Sequence, residues 1–545
     1  MKPIRQESIK YENINRRIPE LRPYDSINAR QEGQAVQALK QLYAYGMPIV
    51  LSSLADTPCV DLGIDGLLES FNKVLCTRYN LTQHLSDLSK SYISKRYDFG
   101  TAFAHFRRRY SNEFKRRNRE TMDRKMREEV LVEDIIITPR VPPRRVWDLY
   151  SNRVVPWWLA RKTPWAISQA WMDEKDREPV LTAINGREWP VPIPKDSDLD
   201  VVRADMINLG AEYVWLDVLC LRQGDDEKDY VRIAEWKVDV PTIGYVYEMA
   251  DRVVYYFSGL GRPFTAEEHD LGSNRSWFRR AWTLQEISKH PIIGGTSIDN
   301  ATVYEMLPAK FREQLLWLEK IAQRIFKQTD VFVVLSHMRG RVSTKPRDRI
   351  AGLAYLLRPQ IIPAYYEAQS EEDAWTALVN VIAYDYKVPM LFLYPEPGNG
   401  NEIWRRSWDQ VMNGSLPSHN PHLHDAVTWN RKTNTNSYEA YFIGSALVRG
   451  LDREEKRGKP RRGEFIVKNK VTGTDHRFKI VAAHQYRIAD GRYTIFSCPN
   501  KGLHSEEWRY WVCGRMRAGK RFEKESVFQM PYFVDVGRLK ALKHK

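Results

Sequence analysis

The block WFRRAWTLQE, Trp277 to Glu286, holds the residues best able to do chemistry. On a helix, Trp282 and Glu286 stand four residues apart and share one face. An indole beside a carboxylate can hold a planar ligand and set negative charge against it. That pairing suits cleavage of an N-glycosidic bond: the carboxylate stabilises an oxocarbenium-like ribosyl centre while the aromatic wall orients the base. The same spacing also fits a structural role, with Trp282 in the core and Glu286 paired to Arg279 or Arg280. Asp217 is the second candidate, set inside the apolar run VWLDVLCL. A carboxylate at the end of a parallel strand lies where open α/β sheets collect their ligands; otherwise it caps the next helix or pairs with an arginine. Ser168 and Gln169, after the apolar WAI, face the same crevice if WAISQAW is the first strand.

Other chemistries find no footing. The chain has no G-x-x-x-x-G-K-[ST] loop, no G-x-G-x-x-G turn after a strand and no G-x-S-x-G elbow. NTPase, dehydrogenase and serine-hydrolase readings fall with them. His419, His422 and His424 sit in a proline-flanked loop with no acidic or cysteine partner close in sequence, and read as a polar turn. No metal and no resident cofactor is expected.

For the candidates to meet, the surrounding chain must alternate strand and helix. Apolar runs TPWAISQAW (163–171), EYVWLDVLCL (212–221), DRVVYYFSG (251–259) and PIIGGT (291–296) alternate with helical patterns near 227–250 and at WFRRAWTLQEISKH (277–290). This rhythm predicts an α/β fold with a mostly parallel sheet. Pro241 should break the helix before DRVVYYF, and further helices are expected at 311–328 and 372–385. The chain before residue 140 looks helical, with AVQALKQLYAYG (35–46) stopped by Gly46 and LLESFNKVL (67–75). TPRVPP (138–143) reads as a linker. From about 395 the texture turns to Gly, Asn and Pro turns and short alternating segments, a β sandwich or barrel over roughly 440–540. Three parts result: a helical region at 1–140, an α/β domain with trailing helices at 141–394, and a β-rich domain at 395–545.

A length of 545 residues agrees with that division, at about 150 residues per domain. Hydrophobic residues make up 43%, enough for packed cores and too much for wholesale disorder. The cysteines Cys59, Cys76, Cys220, Cys498 and Cys513 show no paired spacing, so a reduced, cytoplasmic protein is expected. No apolar run reaches the ~20 residues of a transmembrane helix. The net charge of +15 favours anionic partners. From Arg107 to Arg127 ten basic residues face only Glu113, Glu120 and Asp123, and a second basic stretch runs from Arg453 to Arg462. The first is either a solvated helix face or a contact for nucleic acid or anionic lipid, and the second reads as an exposed loop between strands that a nucleic-acid binder could also use.

Five blocks together resemble the HET domain of fungal heterokaryon incompatibility proteins. In order they are PRRVWDLYSNRVVPW (Pro143 to Trp157), AISQAW (Ala166 to Trp171), YVWLDVLCLRQ (Tyr213 to Gln223), WFRRAWTLQE, and KPRDRIAGLAYLL (Lys345 to Leu357). The resemblance spans about 143–357, and Gln169 departs from it where the family often carries His. It implies intracellular nonself recognition and programmed cell death. It also implies a distant likeness to TIR domains, whose flavodoxin-like sheet carries a catalytic glutamate on a helix after the third strand, often as W-x-x-x-E. Trp282 and Glu286 take that place, with NAD as the implied substrate, Glu286 catalytic, and Trp282, Ser168, Gln169 and Asp217 in the substrate crevice. Two other readings stand beside it: a non-enzymatic scaffold acting by self-association with protein partners, and a basic nucleic-acid binder.

Overall fold

The computed structural model describes residues 43–531 apart from 45–46, 110–112, 225–228, 274–275, 288–290, 297–299, 325–330, 358, 418–422, 424–425, 441, 454–458, 470–471 and 498–507. Most of the expected helix at 35–46 and His419, His422 and His424 lie outside the described residues. The chain is mixed α/β with a β-rich C-terminal region.

Six strands form the central sheet: β1 Arg145–Asp148, β2 Arg153–Pro156, β3 Trp165–Gln169, β4 Tyr213–Trp215, β5 Val253–Tyr256 and β6 Pro291–Ile293. Their spatial order is β6-β5-β3-β4-β1-β2. The first four of these pair in parallel, whereas β1 joins β4 and β2 joins β1 antiparallel. Every residue of β3, β4 and β5 is buried, because helices and loops cover both faces. That is why these strands read as continuous apolar runs instead of alternating ones.

The connections carry their own stop and start signals. The helix Leu199–Leu209, between β3 and β4, begins where the Asp198 side chain accepts from the Asp200 N–H and ends at Gly210, whose φ of 103° suits glycine. Between β4 and β5 the helices Tyr230–Asp239 and Ile243–Met249 are separated around Pro241, as the missing amide proton requires.

The preceding residues form a helical layer, including Cys59–Leu75, Gln83–Ser94 and Phe99–Arg109, packed around Phe71, Phe99, Phe103 and Phe106. Buried arginines lock it to the sheet. Arg107 Nη2 donates to Asp148 and to Tyr213 Oη, each at 2.8 Å, and Arg203 Nη2 donates to the Val50 carbonyl at 2.8 Å. Arg127 donates to the carbonyls of Pro142 and Pro143, and Val141 is fully buried. The proline-rich stretch is therefore packed against the body, a correction to its reading as a linker: its extended backbone offers carbonyls that an arginine can bind.

A closed antiparallel barrel follows, made of β7 Phe442–Arg449, β8 Arg461–Lys468, β9 Asp475–Ala482, β10 Gly491–Ser497, β11 Trp508–Arg517 and β12 Arg521–Pro531. Its order is β7-β8-β9-β12-β11-β10, and β10 closes on β7. Phe465, Phe478, Trp511 and Phe528 fill it. Its outer face packs Phe496, Val512 and Val527 against Val388, Leu391 and Phe392 of the helix Tyr384–Phe392. Arg461, expected in an exposed basic loop, is instead 1% exposed in β8 and donates to the carbonyls of His484, Leu451 and Tyr486. No described helix is long and apolar enough to cross a membrane.

Candidate active site

Four of the five expected site residues come together beyond the carboxyl ends of β3 and β4. Ser168 and Gln169 close β3, and Asp217 follows β4 at the start of the turn Asp217–Cys220. Glu286 arrives from the connection between β5 and β6. Ser168 Oγ donates to Glu286 Oε2 at 2.5 Å, and Gln169 Nε2 donates to Asp217 Oδ1 at 2.7 Å. Successive residues at the end of one strand thus each hold a carboxyl group, and the two carboxyls are close enough to feel each other's charge.

Trp282 is the exception. The block 277–286 is not one helix but two 3₁₀ turns, Trp277–Arg279 and Trp282–Leu284, so Trp282 and Glu286 do not share a helical face. The reason lies in the backbone between the turns. Ala281 N–H donates to the Val342 carbonyl at 2.9 Å and Val342 N–H to the Arg279 carbonyl at 2.7 Å, which spends these groups on a neighbouring segment instead of on a helix. The Trp282 side chain turns to Asp348, which also accepts from Tyr365 Oη at 2.7 Å.

The indole that does reach the pair belongs to Trp277, whose Nε1 donates to Ser168 Oγ at 2.6 Å. Trp277 lies in the same sequence block; W-x-x-x-E spacing selected the wrong tryptophan because it presumes a helix. Trp171, two residues past β3, also went unselected, and its Nε1 donates to Asp217 Oδ2 at 2.6 Å. Tyr247 and Arg341 carried no sequence signal, since neither stands near the other candidates along the chain.

The electrostatics follow from enclosure. Glu286 is 8% exposed, and burial pushes its carboxyl up to about 8, helped by the nearby charge of Asp217 and opposed by the Ser168, Tyr247 and Arg341 contacts. Tyr247 Oη donates its single proton to the Ile167 carbonyl at 2.9 Å. Burial also raises Asp217, against the hydrogen bonds from Gln169, Trp171 and the Val218 amide. Arg341 is lowered to about 9 by burial, and its Nη1 donates to Thr283 Oγ1 at 2.8 Å and to the Arg280 carbonyl at 2.7 Å.

Beside Glu286, the Gln285 amide is buried, with neither its oxygen nor its nitrogen hydrogen-bonded among the described residues. Among the described residues no cluster of His, Cys, Asp or Glu is arranged to hold a metal ion. What the constellation offers is a proton-bearing carboxyl in a low-dielectric setting, steadied by a serine and flanked by a second carboxyl. No family model, no curated protein and no solved structure matches the chain.

Proposed function

We propose that the chain is a HET-type effector of fungal cell death with a TIR-like core, acting by cleavage of NAD, with Glu286 as the catalytic carboxylate. The observation that carries this reading is the Ser168–Glu286 hydrogen bond beyond the carboxyl end of β3. Counted in chain order, the parallel strands lie 2-1-3-4, and in flavodoxin-like sheets the ligand crevice opens between the first and third of them. Here those strands are β3 and β5.

The chemistry requires the C1′–N bond of the nicotinamide riboside to break with its electron pair leaving on nicotinamide. C1′ becomes an oxocarbenium ion, and water adds there with loss of a proton to give ADP-ribose. Glu286 must be a carboxylate for this. A buried carboxyl in its acid form gives up its proton when a cation settles against it, because attraction between unlike charges grows as water is excluded. The developing ribosyl cation is stabilised in the same way. Asp217, held by Gln169 and Trp171, lines the crevice for ribose hydroxyls, and the Gln285 amide, without a partner among the described residues, is a group whose burial a ligand contact would offset.

The test is NAD consumption by the purified chain, with nicotinamide and ADP-ribose resolved, beside a folded Glu286→Gln variant. Product from the wild type and none from the variant is expected; turnover by the variant would sink the assignment.

A second reading rests on the enclosure of Glu286: neither of two cavities, at Pro241 to Leu378 and at Asp134 to Asn434, is lined by Ser168, Asp217 or Glu286. A scaffold acting by self-association needs no open crevice. Concentration-dependent oligomers, with cell killing retained by Glu286→Gln, favour it. Nucleic-acid binding draws less support, because Arg107, Arg127 and Arg461 are engaged internally.

A further inference from the structure

A cavity of about 500 Å³ lies apart from the Glu286 cluster, among the strand pair at 131–136, the helix Glu371–Val381, the loop holding Asn401 and Glu402, and the hairpin Val427–Asn430 with Thr435–Tyr438. Its volume falls in the range of small-molecule sites. Asp134, Asp373 and Glu402 line it, and none of its lining residues is Lys, Arg or His. In a chain of net charge +15 this is a local reversal of sign.

Three features say what would fill it. First, no three acidic, histidine or cysteine side chains gather as a metal ion would require among the described residues, so the carboxylates are spread round the wall instead of converging on one point. Second, polar groups stand ready between them. Asn380 is 6% exposed, and its Oδ1, which accepts from Asn436 Nδ2 at 3.0 Å, has a second lone pair for an incoming N–H donor. Glu402 accepts no hydrogen bond among the described residues; the Arg405 guanidinium donates to Thr376 Oγ1 at 2.7 Å and pairs with Glu372, so it reaches Glu402 by charge alone. Third, the Trp429 ring on the wall is fixed by its Nε1 donating to Asn434 Oδ1 at 3.1 Å. An indole face takes both methylene groups and cationic nitrogen.

We propose that this cavity binds a polyamine, a ligand whose ammonium groups are spaced along an apolar chain. Separated carboxylates match separated ammonium groups, the tryptophan covers the methylenes between them, and each ammonium donates charge-assisted hydrogen bonds to Glu402, Asp134 or Asp373. Non-specific adsorption is disfavoured by the positive charge of the whole protein, which makes saturable uptake diagnostic.

The test is calorimetric titration of the full chain with spermidine at physiological salt, repeated with Glu402→Gln and with Glu402→Gln joined to Asp134→Asn. The first substitution removes no hydrogen bond. The second keeps the turn, since Asp134 has φ 66° and asparagine adopts that region readily. One spermidine per chain is expected, about tenfold weaker in the single variant and weaker again in the double. Absence of saturable heat, equal binding by all three proteins, or displacement by an equal concentration of magnesium would each overturn the proposal. The readout does not involve NAD, so it stands or falls apart from the reading of Glu286.

Discussion

A carboxyl that keeps its proton up to about pH 8 in the folded chain, against an ordinary value of 4.5, links stability to pH with a fixed sign. Between those values the folded state holds a proton that the unfolded state has lost, so stability falls as pH rises through 8. Glu286→Gln mimics the acid form and should flatten that slope. Thermal melts of both proteins from pH 5 to pH 9 should show the wild-type Tm dropping relative to the variant; parallel curves would show Glu286 to be solvated. Activity should run the other way. If the carboxylate is the working form, kcat/KM for NAD rises with pH through about 8 in the free protein, and a flat profile would remove Glu286 from the reaction. At this scale the sequence was a fair guide wherever the chemistry was local. Ser168 and Gln169 could be read from their place after WAI, and Asp217 from its isolation among apolar neighbours. Trp277 could not, because its partner Ser168 lies 109 residues away and only the folded connection brings them together.

Elements were legible where one period dominated. The parallel strands showed as apolar runs because both faces are covered, and Pro241 marked a true break. The block 277–286 carried helical spacing, yet its backbone pairs with Val342, a long-range choice that no local pattern records. Helix packing supplies a sharper test. A Cβ on Gly244, in the helix Ile243–Met249, would lie 2.4 Å from the Tyr355 Cβ and Cγ, just past the helix Asp348–Ala354. Gly244→Ala should therefore cost about 1–3 kcal/mol through overpacking. Gly66, in the helix Cys59–Leu75, has only Leu62 carbons at 3.5–4.0 Å. There alanine should instead add about 0.5–1 kcal/mol by restraining the unfolded chain and favouring helix. Chemical denaturation of the two variants separates the effects, and equal shifts would mean that Tyr355 simply moves aside.

Across the whole molecule, the barrel was anticipated from its alternating segments, but its attachment was not. Lys524 is 1% exposed between β12 and the helix Tyr384–Phe392, where its Nζ donates to the Leu391 carbonyl at 2.8 Å. Nothing in RFEKESVF marks that lysine as buried, since a bulge between β11 and β12 changes which side chains face the helix. Burial, with the Arg406 charge nearby, lowers it from 10.5 to about 7. From pH 7 to 10.5 the unfolded chain holds the extra proton, so stability rises with pH across that window. Lys524→Met should raise stability most at pH 6, by about 1–3 kcal/mol, with the gain shrinking towards pH 10. A calorimetric gain that is the same at both ends would place the lysine in water.

The closure of the barrel also has a meaning in time. Its last strand, β12, pairs with β9 and β11, so a chain leaving the ribosome cannot complete the barrel until residues 521–531 have emerged. Until then Val388, Leu391 and Phe392 lack the part of their cover that Val527 supplies, although the sheet that carries Ser168 and Asp217 is already made. Nascent chains therefore pass through an interval with a sticky flank and a finished centre. A frameshift late in the message would leave an insoluble product, not a smaller working one.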